Sequence, residues 1–353
     1  MNGKERVYAA IARNAPDRTP CGFHATPAVL ERLYAHFATE DYAALLAALG
    51  ADIVDIRGVV DPHWQGPFPK KSDLGGGVTQ NYLGWQMKTV ETEFGPETTH
   101  CGYVLGEAKT VEAIRAFPWP RTGWFDFSDF AERLQPYRDF AVMASGASVF
   151  QHATLVRGMD RLFIDMMANP ELAEAVLNAY TDFYVDYYAK MFEAAAGAID
   201  ILRIADDLGT QQGPLMGLDV FEQFVTPRVR RLAELAHAHD VLLMFHSCGS
   251  IRPFIPALLE AGIDILDPIQ PRAAGMTPVG IKRDFGSQVC LHGAIDTQYT
   301  LPRGTPDEVG REVRERLDTL AVDGGYIVAP SHTLQPDVPT ENILRLYQTV
   351  THT

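Results

Sequence analysis

The stretch VLLMFHSCGS, residues 241–250, runs from five apolar residues straight into a histidine, a serine and a cysteine. Continuous apolarity, instead of strict alternation, marks a strand covered on both faces, as in a parallel sheet flanked by helices. Runs of the same kind recur at Cys21–Phe23, Ala51–Ile56, Phe140–Ser145, Ile199–Ala205, Ile263–Leu266, Gln288–Leu291 and Tyr326–Ala329. Helical stretches lie between many of them. Pro170–Ala196 is opened by Asn169 and Pro170, Leu218–His239 follows, Ile251–Ala261 stops at Gly262, and Thr305–Val322 starts at Thr305-Pro306-Asp307-Glu308. Alternation of this length predicts an α/β fold, a (β/α)8 TIM barrel spanning residues 1–353 as a single domain. An N-terminal helical extension precedes it. A doubly wound sheet is the competing architecture, weakened because no Gly-x-Gly-x-x-Gly turn follows an early strand.

One segment breaks the pattern. Gly75 to Val104 carries Thr, Tyr, Val and Phe between Gly and Pro, and reads as a β-hairpin or meander inserted after the second strand, placed to cover the barrel mouth. Thirty Lys+Arg against 45 Asp+Glu leave a formal charge of −15, which argues against nucleic acid or an anionic membrane as partner. The hydrophobic and charged fractions, 46% and 21%, are those of an ordinary globular chain, so disorder is not expected. No apolar run is long enough for a membrane span, and MNGKERVYAAIARNAPDR reads as an amphipathic helix rather than a leader. The expected location is cytoplasmic. There Cys21, Cys101, Cys248 and Cys290, widely scattered, are thiols.

In a barrel the chemistry gathers where strands end at their C-terminal side. Those ends carry His24, Asp55, Asp206 with Asp207, His246 with Cys248, Asp267 with Gln270, His292 with Asp296, and Ser331 with His332. His246 and Cys248 lie two apart, so both can face one ion over the mouth, and imidazole with thiolate is a donor pair zinc favours. A third ligand is needed. His332, His292 and Cys290 are the candidates.

RGMDRLFIDMMANPELAE, ILRIADDLGTQQGPLMG, MFHSCGSIRPFIPALLEAGIDILDPIQP and LHGAIDTQYTLPRGTPDEV resemble the uroporphyrinogen decarboxylase superfamily, as does the tail GGYIVAPSHTLQPDVPTENI. That resemblance implies a (β/α)8 barrel with one of two chemistries. One is cofactor-free decarboxylation of uroporphyrinogen, the other zinc-dependent methyl transfer between a methylated corrinoid and a thiol. The methyltransferase branch has His-x-Cys on one strand and a late cysteine after Pro-Gly. Here His246-Ser247-Cys248 matches the first, and Pro330-Ser331-His332 stands where the second is expected, with His in place of Cys. The resemblance therefore favours His246, Cys248 and His332 as zinc ligands. The decarboxylase branch has an N-terminal arginine-rich clamp for substrate carboxylates. This chain retains only Arg18 there, while Asp55 in DIVDIRG resembles that branch's essential aspartate.

The favoured expectation is a zinc-dependent methyltransferase that passes a methyl group from a methylated corrinoid, or a small donor, to a thiol. Asp55, Asp206, Asp207 and His292 are its catalytic candidates; His24, Gln270 and Asp296 its substrate-binding ones. No Asp-x-His-x-x-Gly motif is present, so the corrinoid would arrive on a separate protein. A homodimer with facing mouths is a further implication of the resemblance. The alternatives are a metal-free carboxy-lyase built on Asp55 and a non-catalytic corrinoid or tetrapyrrole binder.

Overall fold

In the computed structural model, which describes residues 1–92 and 95–352, the apolar runs become parallel strands. They are β1 (Ile53–Asp55), β2 (Ala141–Ala147), β3 (Ile201–Ala205), β4 (Leu242–His246), β5 (Ile265–Ile269), β6 (Cys290–Ile295) and β7 (Tyr326–Pro330), hydrogen-bonded in that order. The eighth run, Cys21–Phe23, forms only an isolated parallel bridge from Cys21 to Val328. It still joins the last strand to the first. Gly22 N–H donates to Val328 O, and Asp52 N–H donates to Cys21 O, each at 2.8 Å. The architecture is a TIM-barrel-like ring whose eighth position is a short bridging segment rather than a full strand.

Residues two apart on a strand share a face, and that rule sorts the interior into layers. Ile53, Ile201, Met244, Ile265, Cys290 and Ile327 pack with Val7 of the helix Gly3–Ile11 into an apolar plug. Two positions further along the same strands stand Asp55, Arg203, His246, Asp267, His292 and Ala329. One step of the pleat turns the inward face from apolar to titratable. Cys290, weighed as a ligand, is therefore corrected to a plug residue, its thiol pushed up to about 12 by burial.

The helices follow their local signals with two departures. Pro306–Leu320 begins with a reciprocal capping box between Thr305 and Glu308. Leu218–His239 is broken into Leu218–Phe224 and Thr226–Ala238, because Pro227 cannot donate to the preceding turn. Ile251–Ala261 opens as a 3-10 turn, Arg252–Phe254, before the α-helix Ile255–Ala261, and Gly262 caps it in the left-handed region.

The insert is larger than its sequence suggests. Lys71–Gly75, Val78–Asn81, Trp85–Thr92 and Gly95–Tyr103 form a four-stranded antiparallel sheet, residues 93 and 94 lying outside the described residues. Its first strand, Lys-Ser-Asp-Leu-Gly, is mostly exposed and carries no apolar run, so nothing in the pattern announced it.

Candidate functional site

β4 ends at His246, and Ser247-Cys248-Gly249 turns over the mouth. Gly249 sits at φ +85°, and a Cβ there would lie 2.6 Å from the backbone of Gly209. The loops after β3 and β4 thus meet backbone against backbone, which needs glycine. Gln270 fixes the same loop by accepting from Gly249 N–H at 2.7 Å; this residue, expected to bind substrate, is buried as a structural pin.

That loop contact gathers three donors. Cys248 Sγ lies 3.6 Å from His246 Nε2, and His246 Nε2 lies 3.6 Å from Asp207 Oδ1. Asp207 Oδ1 also accepts from Cys248 N–H at 3.0 Å, and its Oδ2 accepts from Gln151 Nε2 at 3.2 Å. Donor atoms of Asp207, His246 and Cys248 all lie within 4.8 Å of one another, and no other such group occurs among the described residues. The third donor beside the pair is Asp207. His332, favoured for that place, lies exposed on the rim of the same cavity with Nδ1 3.2 Å from Thr333 O.

Asp267, on the neighbouring strand, organises the layer behind the trio. Its Oδ2 accepts from His246 Nδ1 at 2.7 Å and from Arg203 Nε at 2.9 Å; its Oδ1 accepts from His292 Nδ1 at 2.7 Å. Burial alone would raise this carboxyl, yet His246, Arg203 and His292 together hold it well below the usual carboxylate range. An ionised acceptor fixes the tautomer, so His246 keeps its proton on Nδ1 and turns the Nε2 lone pair toward Cys248 and Asp207. Burial, reinforced by Arg203, also lowers the His246 pKa below 6.5, which keeps the imidazole in its ligating form. Burial, then the Asp207 and Asp267 carboxylates, push the Cys248 thiol up to about 12, against a smaller opposing pull from Arg203.

The cavity at this mouth, about 50 Å³, is walled by His24, Arg203, His246, Asp267, His292 and His332, with Met244 and Met143 at its floor. Four of the histidines expected to converge do so. His24 is half-exposed, its Nδ1 4.0 Å from Asp55 Oδ2, and Asp55 accepts from Ser145 Oγ at 2.7 Å. His292 Nε2 is pressed so closely on Gly22 that a Cβ at Gly22 would lie 2.6 Å from it.

Two more expected site residues point elsewhere. Asp206 is fully buried and accepts from Ser148 Oγ, Val149 N–H and Gln151 N–H, capping the helix Phe150–Arg157, so it is corrected from catalytic candidate to structural cap. Asp296 binds Arg272 Nε at 2.5 Å and Gln298 N–H at 2.9 Å, walling a separate surface depression with Glu308 and Arg316. Arg203, in contrast, was missed, although an arginine inside the apolar run Ile-Leu-Arg-Ile-Ala was the signal for an inward-facing charge.

The uroporphyrinogen decarboxylase (URO-D) family profile matches residues 132–353, well over half of the chain, and the chain belongs to that family. It is 30% identical over 199 residues to a methylated-thiol–coenzyme M methyltransferase of Methanosarcina mazei, covering 56% of this chain but only 49% of that relative's length. It is 21% identical to the methylcobamide:CoM methyltransferase MtbA of Methanosarcina acetivorans, covering 98% of this chain and 96% of the relative. A solved structure described as a methyltransferase from Methanosarcina mazei superposes with a TM-score of 0.65 at 19% identity, over 100% of this chain and 99% of that one. No helix among the described residues is long and apolar enough to cross a membrane.

Proposed function

We propose that this chain is a zinc-dependent methyltransferase, with Asp207, His246 and Cys248 holding the metal and a thiol accepting the methyl group. The observation that carries the reading is the spacing of the trio. Zinc lies about 2.0–2.1 Å from nitrogen and about 2.3 Å from sulfur, so tetrahedral ligands of those kinds stand roughly 3.5 Å apart. Cys248 Sγ and His246 Nε2 are separated by 3.6 Å. Three protein donors and one free position make a catalytic set, as opposed to a closed structural one.

Zinc held there supplies positive charge that favours thiolate over thiol at neutral pH. The chain's own residues do the rest. Asp267 locks the His246 tautomer and its ring orientation, and Arg203 holds Asp267 ionised. The acceptor's sulfur forms the new S–C bond as the methyl group's bond to its donor breaks, the electron pair staying on the donor and the thiol proton passing to solvent. A methylated corrinoid carried by a separate protein is the favoured donor, in keeping with the methylcobamide substrate in one relative's name. His24 and Asp55 stand where a substrate enters. The cavity of about 50 Å³ beside His246 is far smaller than a tetrapyrrole, and Arg18 is tied to Asp52 at 2.7 Å instead of gripping carboxylates at the mouth. Both points weigh against the decarboxylase and the tetrapyrrole-binder readings.

The test is elemental analysis of protein purified without chelator, joined to turnover of methylcobalamin with a simple thiol. Stoichiometric zinc and zinc-dependent demethylation are expected. Undiminished turnover in protein stripped of metal would overturn the reading.

A further inference from the structure

A second cavity, of about 170 Å³, adjoins the mouth where β1 and β2 end. Asp55 links the two, because it accepts from Ser145, which lines this cavity, and lies 4.0 Å from His24, which lines the other. Its sides are aromatic. Tyr82 and Trp85 come from the insert, Tyr184, Tyr187 and Tyr188 from the helix Pro170–Ala195, and Phe125 closes one end. Several of these rings are already fixed: Tyr188 OH donates to Ser145 O at 3.0 Å, Tyr184 OH meets His152 Nδ1 at 2.5 Å, and Trp85 packs on His152 at 4.4 Å.

What remains unused is specific. The Arg57 guanidinium makes no hydrogen bond or ion pair with any described residue, although it lines this cavity. Arg57 is an exposed residue that lies across the backbone of Gly146, where a Cβ would meet its Nε at 3.4 Å, an ordinary contact. The Tyr82 and Tyr187 hydroxyls likewise have no hydrogen-bond partner among the described residues. Lys70 and Asp61 pair with each other at 3.7 Å, so the lining carries one net positive charge in a chain of −15. An unpaired cation beside a rigid aromatic slot is arranged for an anion with a flat apolar body. A cavity of about 150 Å³ is known to accept benzene, so this one has room for a single ring with a small substituent.

We propose that this cavity is the recognition pocket for an aryl carboxylate, its ring held between Tyr82, Trp85 and Tyr187 and its carboxylate paired with Arg57. The proposal names the class of small molecule brought to the mouth, and it rests on reading that mouth as the reaction site. A substituent on such a ring has Asp55 and the mouth as its neighbours.

The test is calorimetric titration of the full chain, as purified, with benzoate, acetate and benzamide, with zinc measured in the same samples. Benzoate is expected to bind at least tenfold tighter than either of the others. Arg57→Gln should erase the preference for benzoate over benzamide, and Arg57→Lys should restore part of it, all with an unchanged melting temperature, since Arg57 holds nothing in place. Equal binding of acetate and benzoate, or full benzoate affinity in Arg57→Gln, would overturn the proposal. Benzoate binding to protein without zinc leaves the pocket standing while the metal reading fails; zinc without benzoate binding does the reverse.

Discussion

Two corners of the mouth are lined by similar residues and do different things. At one, His246 meets Cys248 and Asp207, with donor atoms within 4.8 Å of one another. At the other, His24, His292 and His332 share the same cavity without forming such a group. His246 and His292 even give their Nδ1 protons to the same carboxylate, at 2.7 Å each. Their difference lies in what their Nε2 atoms face. His246 looks toward a thiol and a carboxylate, whereas His292 abuts the bare backbone of Gly22. A histidine count therefore says little; the loops after β3 and β4 bring together the donor group that could hold a metal, and the opposite corner does not.

The sharpest way to break this contrast is to remove the sulfur. Cys248→Ala should lose stoichiometric zinc and bring methyl transfer down to background, whereas His292→Ala should keep its zinc. Elemental analysis of both, with circular dichroism to show the barrel intact, decides it. Zinc retained in Cys248→Ala and lost in His292→Ala would move the centre to the other corner.

A smaller effect is expected from the shared carboxylate. Asp267→Asn leaves Arg203 without its ion pair and no longer dictates which nitrogen of His246 carries the proton. Outer-shell losses of this kind typically cost about 10–100-fold in metal affinity. Competition against a zinc-binding dye measures it, and an unchanged affinity would mean that Asp267 serves only the packing of the barrel.

How much of this was legible follows from which physical signal each part carries. The barrel strands announced themselves because burial on both faces demands continuous apolar runs, and β3, expected at Ile199–Ala205, forms at Ile201–Ala205. The insert's polar strands gave no such signal. At the site, His246 and Cys248 were readable because two residues on one strand end share a face. Asp206 and Asp207 were not separable, because adjacent residues face opposite ways and the sequence does not say where the strand stops pleating. Asp206 turned into a helix cap and Asp207 into the third donor. Nothing in the bare spacing favoured His332 over His292; the family resemblance did, and the rim of the cavity is where His332 stands.

Acidity should act on the trio corner through folding itself. The pKa of His246 is held below 6.5 by burial and Arg203, and that of His152 well below it by burial and Arg57. Below about pH 6.5 the unfolded chain binds protons that the folded chain refuses, so stability is full above that pH and falls as pH drops toward the lowered values. Each group contributes a slope of up to about 1.4 kcal/mol per pH unit. Urea unfolding of metal-free protein at pH 7.5 and 5.5, both above the ordinary carboxylate range, measures the loss. His246→Asn should reduce the slope, with the His152 share remaining, and a slope unaffected by that substitution would show that the His246 imidazole is not held neutral by its surroundings.

The smallest expected effect belongs to His332, and it sharpens the comparison most. Its side chain is exposed, its Nδ1 lies 3.2 Å from the carbonyl of Thr333, and it borders the same cavity as His246 without joining the donor trio. If Asp207 is the third ligand, His332→Ala removes no metal donor. Zinc content should then stay stoichiometric, and zinc affinity should change by less than about threefold, under 1 kcal/mol. A rim residue that touches the entering thiol would instead raise KM and leave kcat nearly unchanged, the signature of lost uniform binding. Asp207→Asn is the companion measurement, since a neutral amide oxygen is a far poorer zinc donor than a carboxylate. It should weaken zinc while His332→Ala does not. The opposite pair of results would return His332 to the metal and make Asp207 the residue that merely holds the Cys248 amide.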